Sequence, residues 1–155
     1  MKSGDIAAAI GKGLAAGAVG TAAMTISSTL EAKLRERESS TAPADAAAKV
    51  LGVKPEGEEE QARFSTLVHW GYGTGWGAVR GLLAVLGLRG RAAGLAHFGS
   101  IWGSELVMLP KLEVAPPLSE WEAKEIGVDV FHHLVYATAT SFAYAYFTRH
   151  STTVR

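Results

Sequence analysis

Long apolar stretches separated by polar segments dominate the pattern along the chain. Residues 13–30 are 18 positions without a charge, and the apolar character extends back to residue 6 with only Lys12 interrupting it. A helix needs roughly 20 residues to cross a hydrocarbon core of about 30 Å. The first stretch is therefore long enough to span a bilayer. Because it continues into a charged, helix-like segment, we expect it to be retained rather than cleaved as a signal peptide.

Three further stretches are long enough to cross a bilayer, and each contains one permanent charge. Residues 82–88 are apolar on every side of a helix, whereas a surface helix of a soluble protein keeps a polar face. We therefore predict an all-α fold, a four-helix transmembrane bundle in a single membrane domain over residues 1–155. A soluble four-helix bundle with a core of alanine and glycine is the alternative. The predicted spans are 6–30, 64–88 with Arg80, 92–110 with Glu105, and 126–147 with Asp129.

The segment between the first two spans, residues 31–63, is polar, with six Lys or Arg and eight Asp or Glu. Within it, Thr41 can cap a short extra helix that has Pro43 in its first turn and ends at Gly52. The acidic run 58–60 is expected to start the helix of the second span, because negative charge suits a helix N-terminus. This loop therefore lies outside the predicted bilayer.

The connections between the later spans predict how those helices are arranged. Only a few residues around 88–91 join the second and third spans, so these helices must be antiparallel neighbours. Pro116 and Pro117 stop one helix, and Ser119 with Glu122 forms a capping box that predicts the start of the fourth. Four spans put both ends of the domain on one side of the membrane, while the distribution of Lys and Arg leaves the orientation open.

Glycine recurs at the spacing that lets helices pack closely in lipid. Small residues four apart allow two backbones to approach, so packing replaces the hydrophobic driving force. The glycine-rich run 71–77 does not fit a dinucleotide loop, because no preceding strand, βαβ unit or acidic residue about 20 positions further on accompanies it. We expect the glycines to mediate helix packing and self-association through a glycine-lined face. The positions are Gly13, Gly17, Gly73, Gly77, Gly81, Gly99 and Gly103.

Ionisable residues inside the predicted spans are the candidates for function. A charge at the centre of a spanning helix costs about 2.5–3.5 kcal/mol, so such residues normally face the interior of a bundle. Helical geometry divides them by depth into two groups. Arg80 and His97 lie toward the turn at 88–91. The group toward the two long loops, which can converge from three helices, is His69, Glu105, Asp129, His132 and His133.

Three interpretations of this predicted cluster stay open. It can be a structural hydrogen-bonded network, which suits a membrane scaffold or accessory subunit. It can be a proton or small-ion path, because imidazole titrates near neutral pH. It can also hold a divalent metal ion or a b-type haem, with His69 and His133 as the ligand pair, although no specific ligand spacing accompanies them. The sequence requires no cofactor.

Composition excludes several other classes of protein. With 15 Lys or Arg against 15 Asp or Glu, the chain has no net charge and lacks the basic surface of a general nucleic-acid binder. The chain contains no cysteine, which rules out disulfides and thiolate metal sites. No Ser or Thr stands in a recognisable catalytic motif. We therefore predict no enzyme.

A segment of 26 residues, 110–135, has a recognisable series of residues at fixed intervals. They are Pro110, Pro116, Pro117, Glu125, Asp129, His133, Leu134 and Val135. With these residues the segment resembles the YagU-like inner-membrane proteins, a family of unknown function. The resemblance implies a multi-pass protein of the bacterial inner membrane and transfers no activity. Its partners would be the lipid bilayer, a second copy of the chain or other membrane subunits.

Overall fold

The structure of the chain, a computed structural model, describes residues 2–38 and 40–151. These residues form five α-helices and one short 3-10 helix and contain no β-strand, which confirms the predicted all-α class. Residues 1, 39 and 152–155 of the predicted domain lie outside the described part. The helices are α1 (Ser3–Leu34), α2 (Ala42–Leu51), α3 (Gly57–Val85), α4 (Gly90–Lys111) and α5 (Ala123–His150), with the 3-10 helix at Leu118–Glu120.

The long helices α1, α3, α4 and α5 coincide with the four predicted spans. The acidic run 58–60 occupies the first turn of α3, and α3 ends at Val85, three residues before the predicted end. One described helix, α1, is long and apolar enough to cross a membrane by length and composition, with a mean hydropathy of 1.4 over 18 residues. Glycine, histidine, tyrosine and threonine residues lower the mean hydropathy of α3, α4 and α5. By the same measure, none of these three helices is apolar enough to count as a candidate span.

The extra helix predicted in the first loop is α2. Pro43 lies in its first turn, and Gly52 follows its last residue with a φ of 65°, in the left-handed region that favours glycine. Thr41 precedes the helix, but its hydroxyl donates to the Asp45 carboxylate at 2.8 Å instead of accepting a backbone N–H. The predicted helix is therefore present without the predicted Thr41 cap.

The helix of the fourth predicted span, α5, begins later in the sequence than the Ser119 capping box predicts. Leu118–Glu120 form a 3-10 helix, and α5 starts at Ala123. The backbone N–H of Glu122 donates to the carboxylate of Glu125 at 3.0 Å. The acidic pair therefore replaces the Ser119–Glu122 pair at this helix start, because its second member also places a negative charge at the helix N-terminus.

Contacts along the long helices define their neighbours and directions. α1 packs mainly against α3 and α5, while α4 packs against α5 and α3, and α2 lies beside α3. Residue pairs along each interface run in opposite order, so α1 is antiparallel to α3 and α5, and α4 is antiparallel to α5. The pairs are Gly17–Gly77 and Thr25–His69, Gly20–Tyr136 and Ser27–His132, and His97–Tyr136 and Trp102–Asp129.

The interior of this helix group holds mainly small and polar side chains, and many large apolar side chains lie on its exterior. The largest fully buried side chains among the described residues are those of His97, Thr21 and Thr140, and six of the ten buried apolar residues are alanine. Soluble proteins instead bury large apolar side chains and rarely bury charged ones. The exposed large apolar residues on the long helices include Val19, Ile26, Leu30, Leu67, Leu82, Leu95, Val107, Phe131, Leu134 and Phe142.

α1 and α3 touch through their backbones at a row of glycines. Gly17 of α1 lies against Gly77 of α3, and a Cβ added at Gly77 would be 2.7 Å from the Cα of Gly17. Real Cβ atoms do not approach backbone so closely, so only glycine fits here. Gly20, which the spacing did not single out, plays the same role against Tyr136 of α5. The predicted packing glycines in the α1–α3 interface are Gly13, Gly17, Gly73, Gly77 and Gly81.

Two of the predicted packing glycines do not contribute to packing among the described residues. A Cβ added at Gly99 or Gly103 of α4 would have no neighbouring atom of residues 2–38 and 40–151 within 4 Å. The same holds for Gly71 and Gly75 on the outer face of α3. The four-residue spacing identifies a smooth helix face but does not determine whether another helix of the same chain covers it. Self-association through a glycine-lined face stays a prediction.

Replacing Gly77 by alanine should destabilise the fold, because the new methyl group forces α1 and α3 apart. We expect a loss of about 1–3 kcal/mol, typical of overpacking, and a lower thermal unfolding midpoint by circular dichroism in detergent. Gly75→Ala is the matched control in the same helix, where open space leaves only the helix propensity gain of up to about 1 kcal/mol. Equal effects of the two substitutions would contradict the backbone contact.

Candidate functional site

A histidine and two carboxylates meet between α4 and α5. The Nε2 atom of His133 lies 2.7 Å from Oε2 of Glu105, and its Nδ1 atom lies 3.5 Å from Oδ1 of Asp129. The three groups are partly shielded, with side-chain exposures of 10%, 20% and 23% respectively. The structure thus brings together three of the five residues of the predicted cluster, and we call these three the carboxylate–histidine centre.

Neighbouring groups orient each member of the carboxylate–histidine centre. Asp129 precedes His133 by one helical turn, and its backbone carbonyl accepts a hydrogen bond from the imidazole Nδ1 at 2.9 Å. A carbonyl oxygen only accepts, so Nδ1 carries a proton and Nε2 points at Glu105. The indole N–H of Trp102 donates to Oδ2 of Asp129 at 2.7 Å, which leaves Oδ1 facing the histidine.

His132 takes no part in this centre and instead faces α1. Its Nδ1 atom lies 2.9 Å from the Ser27 hydroxyl, and its Nε2 atom lies 3.7 Å from the Glu31 carboxylate. Consecutive helix residues point about 100° apart. The two adjacent histidines therefore belong to different helix interfaces.

The carboxylate that His132 faces belongs to Glu31, near the C-terminal end of α1. The guanidinium of Arg37 and that of Arg35 both bind its carboxylate, Arg35 at 2.9 Å. Arg37 reaches back because the chain turns after α1 at Glu36, which has a φ of 52°. The Arg37 hydrogen bond, helped by Arg35, lowers the pKa of Glu31 below its usual 4.5.

His69, the other predicted metal ligand, lies in a third interface. Its Nε2 atom is 2.8 Å from the hydroxyl of Thr25 on α1, and that hydroxyl also donates to the backbone of Thr21. Among the described residues, the group with metal-ligand spacing that includes His133 contains Glu105 and Asp129 but not His69. The predicted His69–His133 ligand pair, for a metal or a haem, therefore gains no support.

Arg80 is buried between α3 and α5. Its Nε donates to the Ser141 hydroxyl at 3.4 Å, and its guanidinium carbon lies 4.5 Å from the centre of the Tyr144 ring, a cation–π geometry. Its Nη1 atom has no hydrogen-bond partner among the described residues. Ser141 follows Asp129 by 12 residues, about 18 Å along a helix. The arginine therefore does not neutralise the centre.

His97 is the most deeply buried of the predicted polar residues. Its ring contacts that of Tyr136, with centroids 5.7 Å apart, and its Nε2 atom lies 3.0 Å from the carbonyl oxygen of Trp76. The Tyr136 hydroxyl in turn donates to the carbonyl of Gly73 at 2.5 Å. Arg80 and His97 thus lie in separate contacts.

The sequence pattern does not identify two residues that contact the predicted cluster. Trp102 precedes Glu105 by three positions and so shares its helix face. Ser27 lies near the end of the first predicted span. The sequence does not show which helix lies beside each of these two residues. Trp102 and Ser27 gain a role only through their contacts with Asp129 and His132 of α5.

Comparisons of the chain with protein-family models, curated proteins and solved structures find no match. The resemblance of residues 110–135 to the YagU-like family therefore stays a prediction. A function for this chain has to be inferred from its packing and its buried polar groups.

Replacing Glu31 by glutamine should remove a stabilising ion pair that depends on pH. Because folding lowers the pKa of Glu31, its contribution is present above about pH 4.5 and is lost as the pH falls through the lower folded value. We expect the thermal midpoints of the wild type and Glu31→Gln to differ at neutral pH and to converge in acid. Glu59→Gln, in the exposed pair with Arg63, should have little effect at either pH.

A constant difference between wild type and Glu31→Gln from neutral to acidic pH would contradict this assignment. An equally large effect of Glu59→Gln would do the same, since that carboxylate is 79% exposed.

Proposed function

We propose that the chain is a multi-pass protein of the bacterial inner membrane, a four-helix transmembrane bundle that acts as a structural or accessory component. The observation that carries the proposal is the exposure of large apolar side chains on every long helix, around an interior of mainly small and polar side chains. Large apolar residues such as Phe142, which is 74% exposed, face outward on all four long helices, while His97 and Thr140 are fully buried. Lipid tails suit such an exterior, whereas water does not.

The packing of α1 also supports a lipid environment. This helix contacts both α3 and α5, yet only 28% of its most apolar stretch is buried. The apolar core helix of a soluble protein is mostly buried. A lipid environment would cover the remaining apolar surface of α1, and the glycine contact with α3 is the kind of packing that joins helices in lipid.

The structural role rests on the way the interior polar groups join the helices. Most of them connect two different helices, and hydrogen bonds between helices stabilise membrane bundles. The connections are His69–Thr25 between α3 and α1, His132–Ser27 between α5 and α1, His133–Glu105 and Asp129–Trp102 between α5 and α4, Tyr136–Gly73 and Ser141–Arg80 between α5 and α3, and His97–Trp76 between α4 and α3. No catalytic activity is proposed.

Membrane placement predicts a specific labelling pattern. Because the chain contains no cysteine, each introduced thiol is unique. We expect a membrane-impermeant maleimide to reach Lys54→Cys and Glu120→Cys from one side of the membrane and Arg89→Cys from the other. Thr138→Cys, exposed on the middle of α5, should stay unlabelled in membranes and react after denaturation in SDS, because a thiol in lipid does not ionise.

Labelling of Thr138→Cys at the rate of Lys54→Cys in intact membranes would contradict the proposal. So would recovery of the protein in the soluble fraction without detergent, which would favour the soluble four-helix alternative.

A second candidate function is a proton or small-ion path. The observation that favours it is the succession of buried ionisable groups at different levels, from His132 and His133 through Tyr136 and His97 to Arg80. We expect proteoliposomes to show a proton flux, followed with a pH-sensitive dye, that is lost in Glu105→Gln. Glu59→Gln is the control on an exposed helix face. A flux that is absent, or is unchanged by Glu105→Gln, would remove this candidate.

A further inference from the structure

We propose that Glu105, Asp129 and His133 form a binding site for one divalent ion of the first transition row, of which Zn²⁺ is the representative. The inference rests on the geometry of the carboxylate–histidine centre and does not depend on membrane placement. It differs from the ligand pair expected from the sequence, because it takes one histidine from that pair and adds a carboxylate from each of α4 and α5.

The ligand atoms are close to the separations that a metal ion requires. One atom from each of the three side chains lies within 4.8 Å of the other two. Zn²⁺ holds histidine nitrogen and carboxylate oxygen at about 2.0–2.2 Å, so ligand atoms around it are roughly 3.4 Å apart. The ligand atoms therefore have to come closer by at most about 1.4 Å to bind one ion.

The surroundings of the centre hold the ligands in a binding orientation. The Nδ1 atom of His133 is occupied by the backbone carbonyl of Asp129, so Nε2 is the nitrogen that faces the site. Trp102 holds one oxygen of Asp129 and leaves the other free. Metal-binding histidines and carboxylates usually have such partners, which fix the ring and the carboxylate before the ion arrives.

Charge also favours a cation here. No lysine or arginine among the described residues forms an ion pair with Glu105 or Asp129, whose ion-pair partner is His133. When both carboxylates are ionised, even a charged imidazolium leaves one excess negative charge in the centre, which is costly in a partly shielded position. A divalent ion bound to a neutral histidine and two carboxylates gives the centre a net charge of zero.

The donor set and the position of the centre indicate which ions can bind and how they reach it. An imidazole nitrogen favours Zn²⁺ and Co²⁺ over Mg²⁺ and Ca²⁺, which prefer oxygen ligands. Glu105 lies six residues before the end of α4 and Asp129 six after the start of α5, about 9 Å from these helix ends. Since both carboxylates are partly exposed, an ion can reach the centre from the end of the bundle.

Titration of the purified, tag-free protein with Zn²⁺, followed by calorimetry, tests the site. We expect about one ion per chain and a Kd weakened roughly 100-fold in His133→Gln. Co²⁺ should give a visible absorption band that changes in the same variant, a readout that a loss of stability alone does not produce. His132→Gln is the matched control, because the adjacent histidine faces α1 and should leave both signals unchanged.

Several results would overturn the site. These are the absence of stoichiometric Zn²⁺ binding to the wild type, unchanged binding by His133→Gln, equal weakening by His132→Gln, or Mg²⁺ binding as tight as Zn²⁺ binding. If circular dichroism shows that His133→Gln does not fold, the isosteric variants Glu105→Gln and Asp129→Asn make the same test, and retention of full affinity in both would equally reject the site.

Discussion

The backbone contact between α1 and α3 is the constraint on which the rest of the packing depends. Glycines on both helices allow an approach that any side chain would prevent, so the space between the helices holds no large apolar group. Gly20 lets α5 approach α1 on its other side. The interior is therefore narrow, and small or polar side chains such as those of Thr21 and Thr140 fill it.

A narrow polar interior is stable only if its hydrogen-bonding groups find partners. Each inward-facing histidine of the long helices lies within hydrogen-bonding distance of a group on another helix or on its own, and the two adjacent histidines of α5 serve different neighbours. Four buried polar atoms of the described residues depart from this rule and have no hydrogen-bond partner: Nη1 of Arg80, Nδ1 of His97, Nε2 of His132 and Oγ1 of Thr140. For Arg80, a ring face and one hydroxyl replace a counter-ion. Such a network fixes helix positions where the buried apolar area is too small to do so.

The pattern of residues predicts the elements of this fold better than their contacts. Apolar runs and turn residues identify all four long helices and α2, because these signals are local. The prediction that the last long helix starts at Ser119 is wrong, because an overlapping acidic pair, Glu122 and Glu125, caps α5 instead. Depth along a helix also follows from counting, which grouped Glu105 with Asp129. The direction in which a side chain points around the bundle does not follow from counting. The sequence therefore does not predict that His69 faces Thr25 instead of His133, or that no described helix lies against Gly99.

The contact between the first and last helices has a consequence for biosynthesis. α1 is made before α3 and α5, and it carries hydroxyl groups, at Thr25 and Ser27, whose partners lie on these later helices. The α5 partner, His132, is translated 105 residues after Ser27. The nascent α1 therefore lacks this partner until α5 has left the ribosome. A chain interrupted before α5 would leave this face of α1 without its cover and accessible to quality-control proteases.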